Sequence, residues 1–192
     1  MRSKTFITTI TLFLVLLLAA GCGKKQITSE SLFDRPDYHV SQGLSLLDRG
    51  DTDGAKISFE RALDLDPEYA EAYSGLALVA AMEGDFKVAH KLAEEGIDEG
   101  RKNAWTYVVH GRIYTMERKD DNWLGKAEKQ FEKAIKYDPD LSEAYFWWGV
   151  AKKEHFDFDD AAQLFSRTIT FQDEWAIPVS YTHLRAHETK AN

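Results

Sequence analysis

The sequence predicts an all-α protein built from consecutive helix pairs. The first observation is a set of small residues, a phenylalanine and a proline that returns along the chain. Its clearest copy is Gly43, Ala55, Phe59, Ala62 and Pro67. Later copies are Gly111, Ala127, Phe131, Ala134 and Pro139, and then Gly149, Ala161 and Phe165.

The second observation is the set of turn residues inside and after the first pair. Gly50 and Asp51 stand where one helix would stop and the next would be capped, since glycine suits a helix end and aspartate a helix start. Pro67 closes the pair because proline cannot continue a helix. These positions predict helices over residues 37–48 and 53–65, joined by a turn at residues 49–52.

The recurring set resembles the tetratricopeptide repeat (TPR), whose pattern W-x2-L-G-x2-Y…A-x3-F-x2-A-x4-P returns every ~34 residues. The resemblance implies a right-handed superhelical solenoid of about four antiparallel helix pairs, each burying its apolar face against its neighbours. The third pair has an inter-helix turn, residues 117–124, four residues longer than usual. The second is a weaker match, because Ala93 replaces the aromatic residue. The four repeats fall at residues 36–69, 70–103, 104–141 and 142–175.

The glycine, alanine and phenylalanine positions predict a core rather than a site. The glycines and alanines allow the two helices of a pair to approach closely, and the phenylalanines fill the space between successive repeats. The glycines are Gly43, Gly111 and Gly149, the alanines are Ala55, Ala89, Ala127 and Ala161, and the phenylalanines are Phe59, Phe131 and Phe165.

The N-terminus resembles a bacterial lipoprotein signal. Two basic residues precede an apolar stretch at residues 6–20, which is shorter than the ~18–20 residues that cross a bilayer as a helix. Small residues then lead to Cys22, the only cysteine in the chain. The resemblance implies that residues 1–21 are removed, that Cys22 is acylated and that residues 22–35 form a tether. The alternative is an ordinary cleaved signal followed by an accidental cysteine.

The residue after the cysteine bears on location. Gly23 stands where lipoproteins retained in the inner membrane carry aspartate. The resemblance therefore implies a cell-envelope protein, on the outer membrane facing the periplasm if the cell has two membranes.

The C-terminus has a different character. Residues 179–192 show no apolar period, and their fourteen codons can be written as a transposase-type sequencing adapter read in one frame. We therefore expect this segment to be an adapter artefact, with residues 176–178 the start of a lost continuation. The alternative is a natural polar tail.

Composition and motifs exclude several classes of function. The chain carries 24 basic and 32 acidic residues, and residues 22–178 alone carry 20 and 31, a net charge of −11. Such a balance disfavours nucleic acid as a partner. No catalytic motif, phosphate-binding loop or metal-ligand spacing is present, so the sequence predicts neither an enzyme nor a cofactor. The four histidines before residue 179 fall in four different repeats and are His39, His90, His110 and His155. The acidic turns suit helix caps better than calcium loops, and they are Asp48/Asp51/Asp53, Asp120/Asp121 and Asp157/Asp159/Asp160.

The resemblance to TPR arrays also implies a partner-binding groove, lined by the first helix of each pair. The largely apolar set of residues that face it, here called the groove residues, is Val40, Leu44, Leu47, Leu78, Met82, Trp105, Val108, Arg112, Met116, Phe146 and Val150. Trp105, Arg112 and Phe146 are of types enriched in binding hot spots. The alternative for any one position is burial by the neighbouring repeat. Val40 and Leu44 stand where relatives that grip a C-terminal carboxylate carry Lys and Asn, which disfavours that class of partner.

These observations together predict a membrane-anchored protein–protein interaction scaffold of the bacterial cell envelope. Its partner would be a helix or an extended apolar segment of another protein, since apolar grooves bind both. The chain resembles TPR lipoproteins that act in pilus-secretin assembly or outer-membrane protein insertion, and residues 42–67 are closest to type IV pilus pilotins. An alternative from another class is an enzyme whose catalytic domain followed residue 178 and whose repeats recruit its substrate.

Overall fold

The computed structural model describes residues 34–170, and within this part of the chain helices joined by turns are the only regular secondary structure. The helices of the first pair confirm the sequence prediction, each beginning one residue earlier than expected. The eight helices are α1 Pro36–Asp48, α2 Thr52–Leu65, α3 Ala70–Met82, α4 Phe86–Glu99, α5 Ala104–Glu117, α6 Trp123–Tyr137, α7 Ser142–Glu154 and α8 Phe158–Thr170.

The turn inside the first pair is built as the sequence predicts, and the second pair repeats it. Gly50 and Gly84 take left-handed φ values of 79° and 85°, a conformation that costs glycine nothing. The next residue caps the second helix: an Asp51 carboxylate oxygen accepts a hydrogen bond from the Gly54 amide at 2.9 Å, and Asp85 accepts one from Val88 at 3.1 Å. In the fourth pair the glycine position is occupied by Phe156, with a φ of 70°.

The packing of the helices divides the repeats into two layers. Each first helix contacts the first helix of the next pair, so that α1, α3, α5 and α7 form a continuous layer. Each second helix packs against its own partner, and α2, α4 and α6 also pack against the first helix of the next pair. Within the described residues, no two second helices contact each other as extensively as the first helices do. The first helices therefore form the inner layer and the second helices the outer one.

The core places each repeat phenylalanine against a glycine of the same pair. A Cβ atom added at Gly43 would lie 2.6 Å from Cε1 of Phe59, and one added at Gly111 would lie 2.6 Å from Cε1 of Phe131. Both rings are fully buried. The predicted roles of glycine and phenylalanine in the core are confirmed at these two pairs.

A repeated hydrogen bond joins each pair to the next. Tyr73 donates its hydroxyl to the backbone carbonyl of Pro67 at 2.9 Å, and Tyr145 donates in the same way to Pro139 at 2.9 Å. Tyr107 repeats the bond to a backbone carbonyl six residues earlier. These tyrosines fix the angle at which each first helix leaves the preceding second helix.

Several sequence predictions lie outside the described residues. They are the signal at residues 1–21, Cys22 and most of its tether, the end of the fourth repeat, residues 176–178 and the adapter-like segment 179–192. Among residues 34–170, none of the helices has the length and apolar character that crossing a membrane would require.

Candidate partner-binding groove

The structure divides the predicted groove residues into three groups by exposure. Four are buried, namely Val40, Leu78, Val108 and Phe146. Five are half-buried, namely Leu44, Leu47, Trp105, Arg112 and Val150. Two are exposed, namely Met82 and Met116.

The buried group packs into the core between repeats instead of lining an open surface. Val108 is 0% exposed and lies in the cluster of core residues that includes Phe131, while Val40 lies in the cluster around Phe59. The ring centroid of Phe146 is 5.9 Å from that of Phe165. For these positions the alternative stated from the sequence, burial by the neighbouring repeat, describes the structure. The accessible surface of the inner layer is therefore narrower than the sequence suggests.

Two exposed methionines mark the accessible part of the inner layer. Met82 is the last residue of α3 and is 46% exposed, and Met116 lies in the last turn of α5 and is 37% exposed. The two side chains occupy the same position in adjacent repeats. Methionine is flexible and polarisable, so it adapts to apolar partners of different shapes.

Arg112 is the one charged residue of the predicted set, and its guanidinium is stacked rather than paired. Its Cζ lies 3.8 Å from the ring centroid of Trp147 on α7. Its Nε is buried and has no hydrogen-bond partner. Burial lowers the pKa of the Arg112 guanidinium to about 10, with Asp48 opposing that shift through space. Because this pKa is well above 7, Arg112 stays charged at neutral pH.

The position of Arg112 in the repeat makes its charge unusual. The matching residues of the first two repeats are Leu44 and Leu78. Val150 is the matching residue of the fourth repeat, once the longer inter-helix turn of the third repeat is taken into account. Three repeats therefore place an aliphatic side chain at this position, and the third repeat places a cation there.

Trp147 is a candidate site residue that the sequence analysis missed. It stands between Phe146 and Trp148 in a run of four aromatic residues on α7, residues 145–148. The neighbours point elsewhere: Phe146 packs in the core, and the Trp148 indole donates a hydrogen bond to Glu128 at 3.2 Å. The aromatic run is visible in the sequence, but which of its members meets Arg112 depends on how α7 is rotated against α5.

The structure also joins two histidines that the sequence placed in separate repeats. His90 on α4 and His110 on α5 lie 3.1 Å apart between ring nitrogens, and the other nitrogen of His90 is 2.9 Å from a Glu117 carboxylate oxygen. Tyr114 stacks on His110, with ring centroids 4.8 Å apart. Burial lowers the pKa of His110 to about 4, and the nearby His90 and then Lys133 add to this shift. The cluster holds His110 neutral at physiological pH.

The acidic turns act as helix caps and ion-pair partners. Asp51 caps α2, as described above. An Asp120 carboxylate oxygen accepts a hydrogen bond from the Asn122 amide at 3.1 Å, and its other oxygen pairs with Lys126 at 2.5 Å. Within the described residues, no three side chains of His, Cys, Asp or Glu are arranged to hold a metal ion.

Comparison with known proteins identifies the class to which this architecture belongs. The family described as "Tetratricopeptide repeat" matches residues 40–104. A thermophilic TPR protein of Thermus thermophilus superposes with a TM-score of 0.63 at 20% identity, covering 72% of this chain and 75% of its own. Residues 40–104 therefore match tetratricopeptide repeats, and the described residues fold as an all-helical solenoid. Such repeat solenoids present extended concave surfaces that bind other proteins.

Two further similarities connect the repeats to particular proteins. The type IV pilus assembly protein PilF of Pseudomonas aeruginosa is 31% identical over 86 residues, which are 44% of this chain and 34% of PilF. The PilF structure has a TM-score of 0.57 at 22% identity, covering 73% of this chain and 62% of its own. An O-GlcNAc transferase of Thermobaculum terrenum has a TM-score of 0.52 at 18% identity, covering 65% of this chain and 23% of its own. The sequence match to PilF thus spans about a third of that relative's length.

Proposed function

We propose that this protein is a membrane-anchored scaffold of the bacterial cell envelope and not an enzyme. It would bind a helix or an extended apolar segment of a partner protein along its inner layer. The observation that carries this proposal is the accessible surface of that layer, where Met82 and Met116 are exposed. Arg112 stacks on Trp147 in the same layer with a buried Nε that has no partner. Apolar side chains around a stacked arginine are typical of protein-binding hot spots.

The envelope location rests on the N-terminal resemblance and on the similarity to PilF. Acylation of Cys22 would hold the repeats near a membrane through the tether at residues 22–35. PilF is named as a type IV pilus assembly protein, and the 31% identity over 86 residues supports a related role. We infer that the scaffold assists the assembly of an envelope complex, on the outer membrane facing the periplasm if the cell has two membranes.

The partner-binding proposal is tested on surface residues, because replacing the buried Phe146 would test folding instead. The chain carrying both Met82→Glu and Met116→Glu is used to capture proteins from solubilised envelopes of the source cell. We expect these charges to remove a partner that the parent chain enriches, since they would be buried against apolar residues. The matched control carries Ile57→Glu and Val88→Glu on the outer helices α2 and α4, where both side chains are exposed. If the two double variants recover equal amounts of the partner, binding along the inner layer is refuted.

The anchor is tested separately. Acyl chains contribute about 0.8 kcal/mol per buried methylene, and stable anchoring needs more than one chain. Cys22→Ser should therefore release the protein into the soluble fraction, or leave an unprocessed precursor, where the parent is membrane-bound. If the parent itself enters the aqueous phase of a detergent phase separation, the lipoprotein proposal is wrong.

A second candidate function is recruitment of substrate for an enzyme whose catalytic domain follows residue 178. The similarity to the O-GlcNAc transferase of Thermobaculum terrenum motivates it, because this chain covers only 23% of that protein. The uninterrupted gene decides between the two functions. A reading frame that ends within about one further repeat would exclude the enzyme.

A further inference from the structure

The Arg112 guanidinium carries a positive charge that the protein does not neutralise. Among the described residues, Asp48 is the only acidic group that acts on it, and it does so through space without a hydrogen bond. The Nε donor lies buried without an acceptor. A buried donor that is left unpaired is costly, because it loses its bond to water and gains nothing in return. A carboxylate bound at this half-buried guanidinium would compensate its charge.

A purely structural role does not account for this residue. The stack on Trp147 is favourable, but the ring of Trp147 offers no acceptor in the plane of the guanidinium. Leu44 and Leu78 show that an aliphatic side chain fits the same position in the first and second repeats. The arginine therefore adds an unsatisfied charge at a place where the repeat does not need one.

The geometry selects the chemistry of the missing partner. A guanidinium with an aromatic ring stacked on one face presents its N–H groups at the edge, where they match the two oxygens of a carboxylate. One guanidinium balances one negative charge, and the chain as a whole is acidic, with a formal net charge of −8. Both facts favour a single carboxylate over a phosphate group or a polyanion.

The surroundings indicate a carboxylate within a chain rather than at its end. Arg112 is the one charged residue among the groove residues, and Val40 and Leu44 are aliphatic. Met82 and Met116, which are exposed in the same inner layer, would accept apolar side chains on the same segment. An acidic side chain flanked by apolar ones complements one cation together with two exposed methionines.

We propose that Arg112 and Trp147 form a subsite for one aspartate or glutamate side chain within an otherwise apolar segment of the partner. Arg112 would bind the carboxylate, Trp147 would hold the guanidinium in place, and Met82 and Met116 would contact the flanking apolar residues. This subsite rests on the proposed function, because it lies in the same inner layer.

The test uses random peptides displayed on phage as fusions that leave no free C-terminus. The full chain, an Arg112→Leu variant and the Met82→Glu/Met116→Glu variant are each used to select peptides. The full chain should enrich apolar peptides with Asp or Glu at one fixed position. Arg112→Leu should still enrich apolar peptides, with the acidic preference gone, because leucine fills this position in two other repeats. An acidic preference that survives in Arg112→Leu would overturn the subsite.

A selected peptide then provides the quantitative test. Replacing its acidic residue with Asn or Gln should weaken binding to the full chain by about 30-fold or more, as expected when one partner of a buried charge pair is lost. The same replacement should change binding to Arg112→Leu by less than about 3-fold. Arg112→Lys should give an intermediate loss, because lysine keeps the charge and lacks the planar fork. Equal losses in the full chain and in Arg112→Leu would overturn the proposal.

Two controls separate the subsite from the groove itself. Amidating the C-terminus of the peptide should leave binding unchanged, and a large loss would assign Arg112 to a terminal carboxylate instead. If the full chain and the Met82→Glu/Met116→Glu variant enrich the same peptides, the groove proposal fails, and the subsite fails with it. If apolar peptides are enriched without an acidic residue, the groove stands and the subsite alone is refuted.

Discussion

Replacing Gly111 with alanine gives a sharp test of how the repeats are packed. The added Cβ would lie 2.6 Å from Cε1 and 2.7 Å from Cζ of Phe131, where ordinary contacts begin near 3.4 Å. The ring is 0% exposed and stacks on Trp148 at a centroid distance of 6.5 Å. It would therefore have to move by most of an ångström inside a close-packed core.

The size of the effect follows from two opposing contributions. Overpacking of this kind costs about 1–3 kcal/mol. Alanine favours a helix interior over glycine by about 1 kcal/mol. We therefore expect Gly111→Ala to lower the free energy of unfolding by up to about 2 kcal/mol, because the helix preference offsets only part of the packing cost.

Gly149→Ala provides the matched control within the same molecule. Its Cβ would lie 2.7 Å from Cε1 of Phe165, nearly the same distance, but Phe165 is half-buried and can give way. The helix preference should then offset the packing cost, and stability should change by less than about 0.5 kcal/mol. Urea unfolding followed by circular dichroism measures both variants. Equal effects of the two substitutions, or a gain of stability in Gly111→Ala, would refute this packing argument.

Three further predictions follow from the described residues. The pKa of His110 is about 4 in the fold and 6.5 ordinarily, so His110 takes up its proton at a higher pH in the unfolded chain than in the folded one. The free energy of unfolding should therefore decline between about pH 6.5 and 4 by up to about 3 kcal/mol, and His110→Gln should flatten that decline in urea unfolding at each pH. At Phe156, where φ is 70°, glycine should be more stable than alanine by about 1 kcal/mol in thermal unfolding; the reverse order, normal for helical sites, would contradict the left-handed conformation. Arg112→Leu should keep or raise the free energy of unfolding, since it removes a half-buried charge whose Nε donor has no acceptor, and a loss of about 2 kcal/mol or more would assign Arg112 a structural role.

The helices and most of the core could be predicted because their causes are local or periodic. Gly50, Asp51 and Pro67 determine where helices end through their own backbone chemistry. The glycine–phenylalanine contact recurs in three of the four repeats, at the same spacing in the first and fourth and with a longer turn in the third, so Gly43 and Phe59 could be assigned together. Features of this kind need no knowledge of how one pair sits on the next.

The site could be predicted only in part, because it depends on the rotation of neighbouring helices. Val108 and Arg112 lie one turn apart on α5, yet Val108 is buried while Arg112 reaches Trp147. The contact between His90 and His110 likewise joins residues 20 positions apart on adjacent helices. A residue pattern identifies the inner face of a helix, but the packing of the next repeat determines which side chains on that face stay accessible.

Site-specific photo-crosslinking tests the central claim, binding of a partner along the inner layer, most directly. The photoreactive residue p-benzoylphenylalanine is placed at Met82 or Met116 on the inner helices, and at Ile57 or Val88 on the outer helices, with all four positions exposed in the parent chain. Irradiation in the source cell should yield one defined adduct from Met82 and Met116 and none from Ile57 and Val88. The same adduct from the outer positions, with none from the inner ones, would contradict the account.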